Sequence, residues 1–376
     1  MACRASPAMA AWRGHSPAAS RWAWSVSTCR FRCRWPGIRL VAGSARCSAI
    51  TTPMAKRGCA STAATKASCS VGRTASPKGR NSACRPLNSL HQWNVRRTIT
   101  MSHPLRFALN RMVAPRLSLE AFVDLAVKLG ADAIEIRNDL KGIEIEDGTA
   151  PEAVADLCAA KGVQVLSINA LYPFDVWNDE RSAQATKLAQ YARACGAKGL
   201  VLCPLNDRAD PRNSAQRAAG LRTALTALAP ILREHGILGF VEPLGFEECS
   251  LRLKRQAVDA IKAVGGLDVY RLVHDTFHHH LAGEVELFPE LTGLVHISGV
   301  EDAQAPLNSI RDGHRVLVGE ADILGNAAQI ERLLDSGYTE HLSFEPFAES
   351  VHALQDIPQA ISASMAHLSR AVSQRH

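Results

Sequence analysis

The sequence predicts an α/β fold: a single (β/α)8 barrel of the TIM type, preceded by a disordered N-terminal extension. Three observations carry this. From Met101 onward, short apolar runs alternate with helical stretches, as parallel strands joined by helices do. Eight such runs fall within the 276 residues from Met101 to His376, the size of one barrel and more strands than a doubly wound sheet usually holds. No glycine-rich phosphate loop follows the first run, where a dinucleotide-binding sheet would place one.

The elements follow in order. RFALNR (106–111) reads as the first strand. The next helix has Ser118 as N-cap, Leu119, Phe122, Ala126 and Leu129 on one face, and Gly130 as its stop. DAIEIR (132–137) is the second strand, before a helix from about Thr149 to Lys161. VQVLSIN (163–169) is the third, followed by a helix around ERSAQATKLAQYARAC (180–195). GLVLCPL (199–205) is the fourth, ahead of a long helix from Asn213 to His235. ILGFVEP (237–243), YRLVHD (270–275), GLVHIS (293–298) and HLSFEP (341–346) complete the eight, and a last helix fills 351–373.

The first hundred residues differ from the rest. They contain no Asp or Glu, yet carry 17 of the 43 Lys and Arg, 7 of the 11 Cys and 5 of the 6 Trp. They show no sustained apolar period and no capped helix, so 1–100 are expected to be a disordered basic extension and 101–376 the barrel domain. Such a segment reads as upstream sequence before a natural start at Met101, as an organelle transit peptide, or as a basic arm for phosphates, and the first is preferred. From Met101 the balance is 26 basic against 36 acidic side chains, a net of −10, so the +7 of the whole chain says nothing about the folded part. Cys158, Cys195, Cys203 and Cys249 form no CxxC pair and read as reduced thiols of a cytoplasmic protein, with Cys203 a small buried filler. No run of 18 apolar residues offers a membrane span.

Barrel enzymes carry their working groups at the C-terminal strand ends. Strand five ends in Glu242, six in Asp275 and eight in Glu345, while seven carries His296. Three carboxylates and an imidazole crowded together are costly without a counter-charge, and one divalent cation supplies it. Oxygen-rich ligation with one nitrogen suits Mn²⁺, with Mg²⁺, Co²⁺ and Zn²⁺ as alternatives. In VHDTFHHH (273–280), then, Asp275 is the ligand and His278 lies one turn on, within reach of what the metal holds. His279 and His280 read as structural or solvated. Asn110, Arg111, Glu135, Arg137 and Asn169 add polar groups to the mouth. Trp177, the only tryptophan after Met101, either stacks on a substrate ring or packs a loop onto the barrel.

In this order at strand ends five to eight, FVEP, HDTFHHH, LVHISG and SFEPF resemble the xylose-isomerase-like sugar isomerases and epimerases, over residues 104–372. DTFH together with DGHRVLVGEADI (312–323) is most similar to the inosose (2-keto-myo-inositol) isomerases within that family. The resemblance implies one divalent metal, Mn²⁺ first, on Glu242, Asp275, His296 and Glu345, with His278 and Arg315 as substrate contacts. Asn169 and Trp177 are further candidate contacts. It implies conversion of 2-keto-myo-inositol to 1-keto-D-chiro-inositol through an enediolate, with Glu242 and Glu345 as the proton-transferring pair. The family's Gly-Glu-Gly turn is Gly319-Glu320-Ala321 here. Ketose 3-epimerase and hydroxypyruvate isomerase are the near alternatives, while an endonuclease IV-like abasic-site nuclease and a non-catalytic metal-binding barrel are distant ones. The expected partner is a small polyol or ketose, without nucleic acid or membrane; a homo-oligomer is left open.

Overall fold

Eight parallel strands close on themselves in sequence order in the computed structural model, which describes residues 104–374. The expectations for residues 1–100 lie outside that range. The strands are β1 Phe107–Asn110, β2 Ala133–Arg137, β3 Gln164–Leu171, β4 Gly199–Leu202, β5 Leu238–Val241, β6 Tyr270–Asp275, β7 Thr292–Ile297 and β8 Leu342–Phe344. The helices are α1 Leu119–Leu129, α2 Pro151–Lys161, α3 Asp179–Cys195, α4 Ser214–His235, α5 Lys254–Ala263, α6 Thr276–Ala282, α7 Asn326–Asp335, α8 Glu349–His352 and α9 Ile357–Ser373. β8 pairs with β1 in parallel and seals the barrel.

Local chemistry explains the boundaries. The Ser118 hydroxyl accepts from the Ala121 amide and Gly130 ends α1 in the left-handed region at φ 71°, as its sequence suggests. The last helix splits in two, because Asp356 caps Gln359 and Pro358 suits the first turn of a new helix. The helix between β1 and β2 is legible from its caps; α5 and α7 lack a side-chain N-cap and sequence reading assigns neither. In contrast α6, capped by Asp275 and stopped by Gly283, is too short for a helical period to mark its bounds.

The barrel interior is layered. Ala108, Ala133, Val201, Phe240, Val273 and Leu294 form an apolar plug of their own. Two residues further along the same strands, and so on the same face, come Asn110, Glu135, Cys203, Glu242, Asp275 and His296. The polar layer thus stands on an apolar floor. Phe240 fills that floor because its neighbours lack side chains: a Cβ at Gly199 would lie 2.7 Å from the ring, and one at Gly293 2.9 Å.

Behind β6, a buried basic cluster braces the helices. In sequence the histidine run has no cationic neighbour but Arg271; the fold brings Lys254 to it from α5. The Lys254 Nζ donates to Nδ1 of His274 and Nδ1 of His279, each at 2.8 Å. His274 Nε2 then donates to Gln329 Oε1 at 2.9 Å, and the Gln329 amide donates to the carbonyls of Thr276 and Leu324. One chain of hydrogen bonds therefore ties α5, β6, α6 and α7. Burial keeps all three bases short of protons, pushing Lys254 down to about 7, His279 down to about 3 and His274 well below its ordinary range.

Unfolded, Lys254 titrates near 10.5; folded, near 7. Between those values the unfolded chain binds the extra proton, so stability rises with pH across the window, by up to about 1.4 kcal/mol per unit. Below pH 7 this contribution is flat. Urea midpoints at about pH 7.5 and about pH 9.5 should therefore show wild type gaining on Lys254→Met as pH rises. A constant gap between the two proteins would mean that the lysine is charged in the fold.

Candidate metal centre

Glu242 follows β5, Asp275 ends β6, His296 is the fifth residue of β7, and Glu345 follows β8. All four are buried, and one ligand atom from each lies within 4.8 Å of the others. His296 Nδ1 is the hub. It stands 3.0 Å from Glu242 Oε1, 3.2 Å from Glu345 Oε2 and 3.9 Å from Asp275 Oδ2. Asp275 divides its labour: Oδ1 accepts from the amides of Phe277 at 2.7 Å and His278 at 3.0 Å, capping α6, which leaves Oδ2 for the centre.

The far nitrogen of His296 explains a residue that sequence reading left as a mouth filler. Its Nε2 meets Glu135 Oε2 at 3.2 Å. Glu135 is itself fixed by the Ser167 hydroxyl at 2.5 Å, by the Asn169 amide at 2.9 Å, and by the Ser343 hydroxyl. A carboxylate behind a ligating imidazole sets the ring's orientation and raises its basicity. Asn169 belongs to this support.

Two guanidiniums complete the charge. Arg137 Nη1 donates to Glu345 Oε1 at 2.8 Å. Arg315 Nη2 donates to Asp275 Oδ2 at 2.6 Å and to Glu345 Oε2 at 3.0 Å. Burial alone would drive Glu345 toward its neutral form, but His296, Arg315 and Arg137 override it and hold its pKa far below the carboxylate range. Burial likewise opposes ionisation of Glu135, and His296 outweighs it, leaving its pKa lowered. For His296 burial disfavours the imidazolium, yet Glu345, Glu135 and Glu242 raise its pKa well above the ordinary value.

The donor set fits a divalent cation: three carboxylate oxygens and one imidazole nitrogen, converging and buried, with the imidazole braced from behind. The other expected site residues scatter more. Arg315 lies in the centre. His278 packs edge-on to Phe246 and Phe277 at ring separations of 5.2 and 5.1 Å, its Nδ1 buried without a partner. Trp177 is half-buried against the main hydrophobic core, which matches loop packing. Arg111 does not fill the mouth. It turns onto Glu144 at 2.7 Å and the carbonyls of Ala114 and Leu117, a structural buried ion pair. Cys203 is no plain filler, since its Sγ lies 3.2 Å from Glu242 Oε2. Ala321 is easily accommodated, because neither it nor Gly319 adopts positive φ.

Fold and site define a (β/α)8 barrel with a carboxylate-rich candidate metal centre at the C-terminal strand ends. A family model described as xylose isomerase-like TIM barrel matches residues 123–371, and the chain belongs to that family. It is 27% identical over 248 residues to the inosose isomerase of Bacillus velezensis, covering 63% of this chain and 86% of that one. A xylose isomerase domain-containing protein from Salmonella typhimurium LT2 has 33% identity and a TM-score of 0.64, over 72% of this chain and 97% of its own. The IolI protein, solved with a zinc atom, shares the fold at a TM-score of 0.65 and 22% identity, over 72% of this chain and 99% of its own.

Replacing the brace should loosen the centre. Glu135→Gln is expected to weaken binding of Mn²⁺ or Zn²⁺ by about 10–100-fold in a calorimetric titration. Unchanged affinity would show that His296 needs no carboxylate behind it.

Proposed function

We propose that this protein is a metal-dependent isomerase of an uncharged polyol ketone, converting 2-keto-myo-inositol to 1-keto-D-chiro-inositol. The charge count carries the reading. Glu135, Glu242, Asp275 and Glu345 provide four negative charges, all buried. Arg137, Arg315 and one divalent cation on a neutral His296 provide four positive ones. Asp139 and Asp312, which also touch these arginines, are half-exposed and screened by water. A site balanced in this way favours a neutral ketone over an anion such as hydroxypyruvate. The inosose isomerases among the relatives support the inositol-derived substrate and, with it, a place in inositol catabolism. Mn²⁺ is the proposed ion from its oxygen-rich donors, with Zn²⁺, the metal of the IolI neighbour, as its competitor.

When bound on Glu242, Asp275, His296 and Glu345, the cation supplies positive charge for the negative charge that develops on the substrate's oxygens. The side chains do the proton work, and they are unequal. Both oxygens of Glu345 accept from strong donors, Oε1 from Arg137 and Asn110 and Oε2 from Arg315. Glu242 has no arginine partner, and its Oε2 meets only a thiol among the described residues. Oε2 of Glu242 is therefore the carboxylate oxygen left free of charged donors, and it takes the α-proton. Glu345, ionised at rest, takes the proton of the substrate's hydroxyl and passes it to the neighbouring carbon. Glu242 returns its proton to the new hydroxyl oxygen, and the roles exchange in the reverse direction. Arg315 steadies the anionic carboxylates around them, and His278 is proposed to contact a substrate hydroxyl.

Incubation with Mn²⁺ and 2-keto-myo-inositol (scyllo-inosose) in deuterated water should place deuterium at an α-carbon, read by NMR. Glu242→Gln should slow that exchange by about 10²–10⁴-fold. Exchange confined to fructose or tagatose would move the assignment to a ketose 3-epimerase, and near wild-type turnover by the variant would remove Glu242 as the base.

A further inference from the structure

Cys203 holds an unusual place among the thiols. Cys158, Cys195 and Cys249 are buried in the protein body, whereas Cys203 is half-buried in the polar layer of the barrel. Its backbone is fixed on both sides: the amide donates to Leu171 O at 3.2 Å, and the carbonyl accepts from the Phe174 amide at 3.0 Å. β4 and β5 pair in register through Leu202 and Val241, so the next residues of the two strands, Cys203 and Glu242, stand side by side. Sγ donates to Glu242 Oε2 at 3.2 Å, while Oε1 faces His296 Nδ1 at 3.0 Å. The two carboxylate oxygens are thereby told apart: one addresses the metal centre, the other the thiol.

We infer that Cys203 is a positioning residue for Glu242, its S–H fixing the rotation of the carboxylate so that Oε2 is the oxygen offered to the substrate. This rests on the reading of Glu242 as the base. It also makes the thiol a point at which the site can be shut. A methanethiosulfonate reagent is attacked by the thiolate once the S–H proton has passed to solvent. The new S–S–CH3 forms as the reagent's S–S bond breaks and methanesulfinate leaves, which removes the donor and sets a methylthio group against Oε2.

The experiment compares full-length wild type, Cys203→Ser and Cys203→Ala with Mn²⁺ and scyllo-inosose. Loss of one hydrogen bond to the reacting carboxylate should lower kcat of Cys203→Ala about tenfold, with KM and Mn²⁺ affinity nearly unchanged. Cys203→Ser, which keeps a donor, should return to within about threefold of wild type. Methyl methanethiosulfonate should inactivate wild type and spare the serine variant. A full wild-type kcat in Cys203→Ala, a serine variant as slow as the alanine one, or equal inactivation of wild type and serine variant would each overturn the inference. Those results require active wild type. Wild type that exchanges deuterium into no polyol ketone would instead bring down the isomerase reading, and this inference with it.

Discussion

Four carboxylates meet around one imidazole inside the barrel, and most of the polar architecture exists to make that arrangement bearable. Glu242, Asp275 and Glu345 face Nδ1 of His296, and Glu135 faces Nε2. Buried anions this close repel, so each must find a cation or a donor. Arg137 comes from β2 and Arg315 from the long segment between β7 and α7. The ring of Phe347 lies 5.4 Å from the first guanidinium and 4.6 Å from the second. The amides of Phe347 and Ala348 both donate to the Arg315 carbonyl, pinning the segment that follows β8 to the arginine that serves the centre. Residues outside the four candidate ligands thus decide whether those ligands can coexist.

The fold supplies this crowd by a simple rule. On six of the eight strands one inward position is apolar and the next is polar, so a floor of Phe240 and smaller residues lifts the carboxylates to the mouth. Asp275 joins two tasks, capping α6 with one oxygen and facing His296 with the other. The Lys254 cluster then holds α6 from behind through His279.

Much of this could be read from residues alone, because strand ends are short-range features. The runs ending in Glu242, Asp275 and Glu345, with His296 inside the seventh, needed only the strand assignment and the rule that barrel sites gather at C-terminal ends. Glu135 was harder. Its partner His296 lies 161 residues away, and the pair exists only because closure through β8 and β1 brings β7 and β2 within reach of each other across the barrel interior. The signal was present, in that a glutamate sits at an inward position of a strand buried along its whole length. Arg111 misled for the opposite reason: its backbone leaves β1 in a single 3-10 turn, which swings the side chain out to Glu144. Lys254 gave no warning, since nothing in its own stretch marks it as a partner for histidines.

An imidazolium at His296 offsets part of this cluster of anions, and a divalent ion on the same four side chains would take over that charge. Ligation through Nδ1 requires the neutral ring, so binding must expel the proton that the carboxylates hold on His296. Calorimetric titration of Mn²⁺ near neutral pH, repeated in buffers of different ionisation enthalpy, counts that proton directly. About one proton released per ion, with one ion per chain, is the expected result. Tight binding with no release, or no saturable binding at all, would contradict the account.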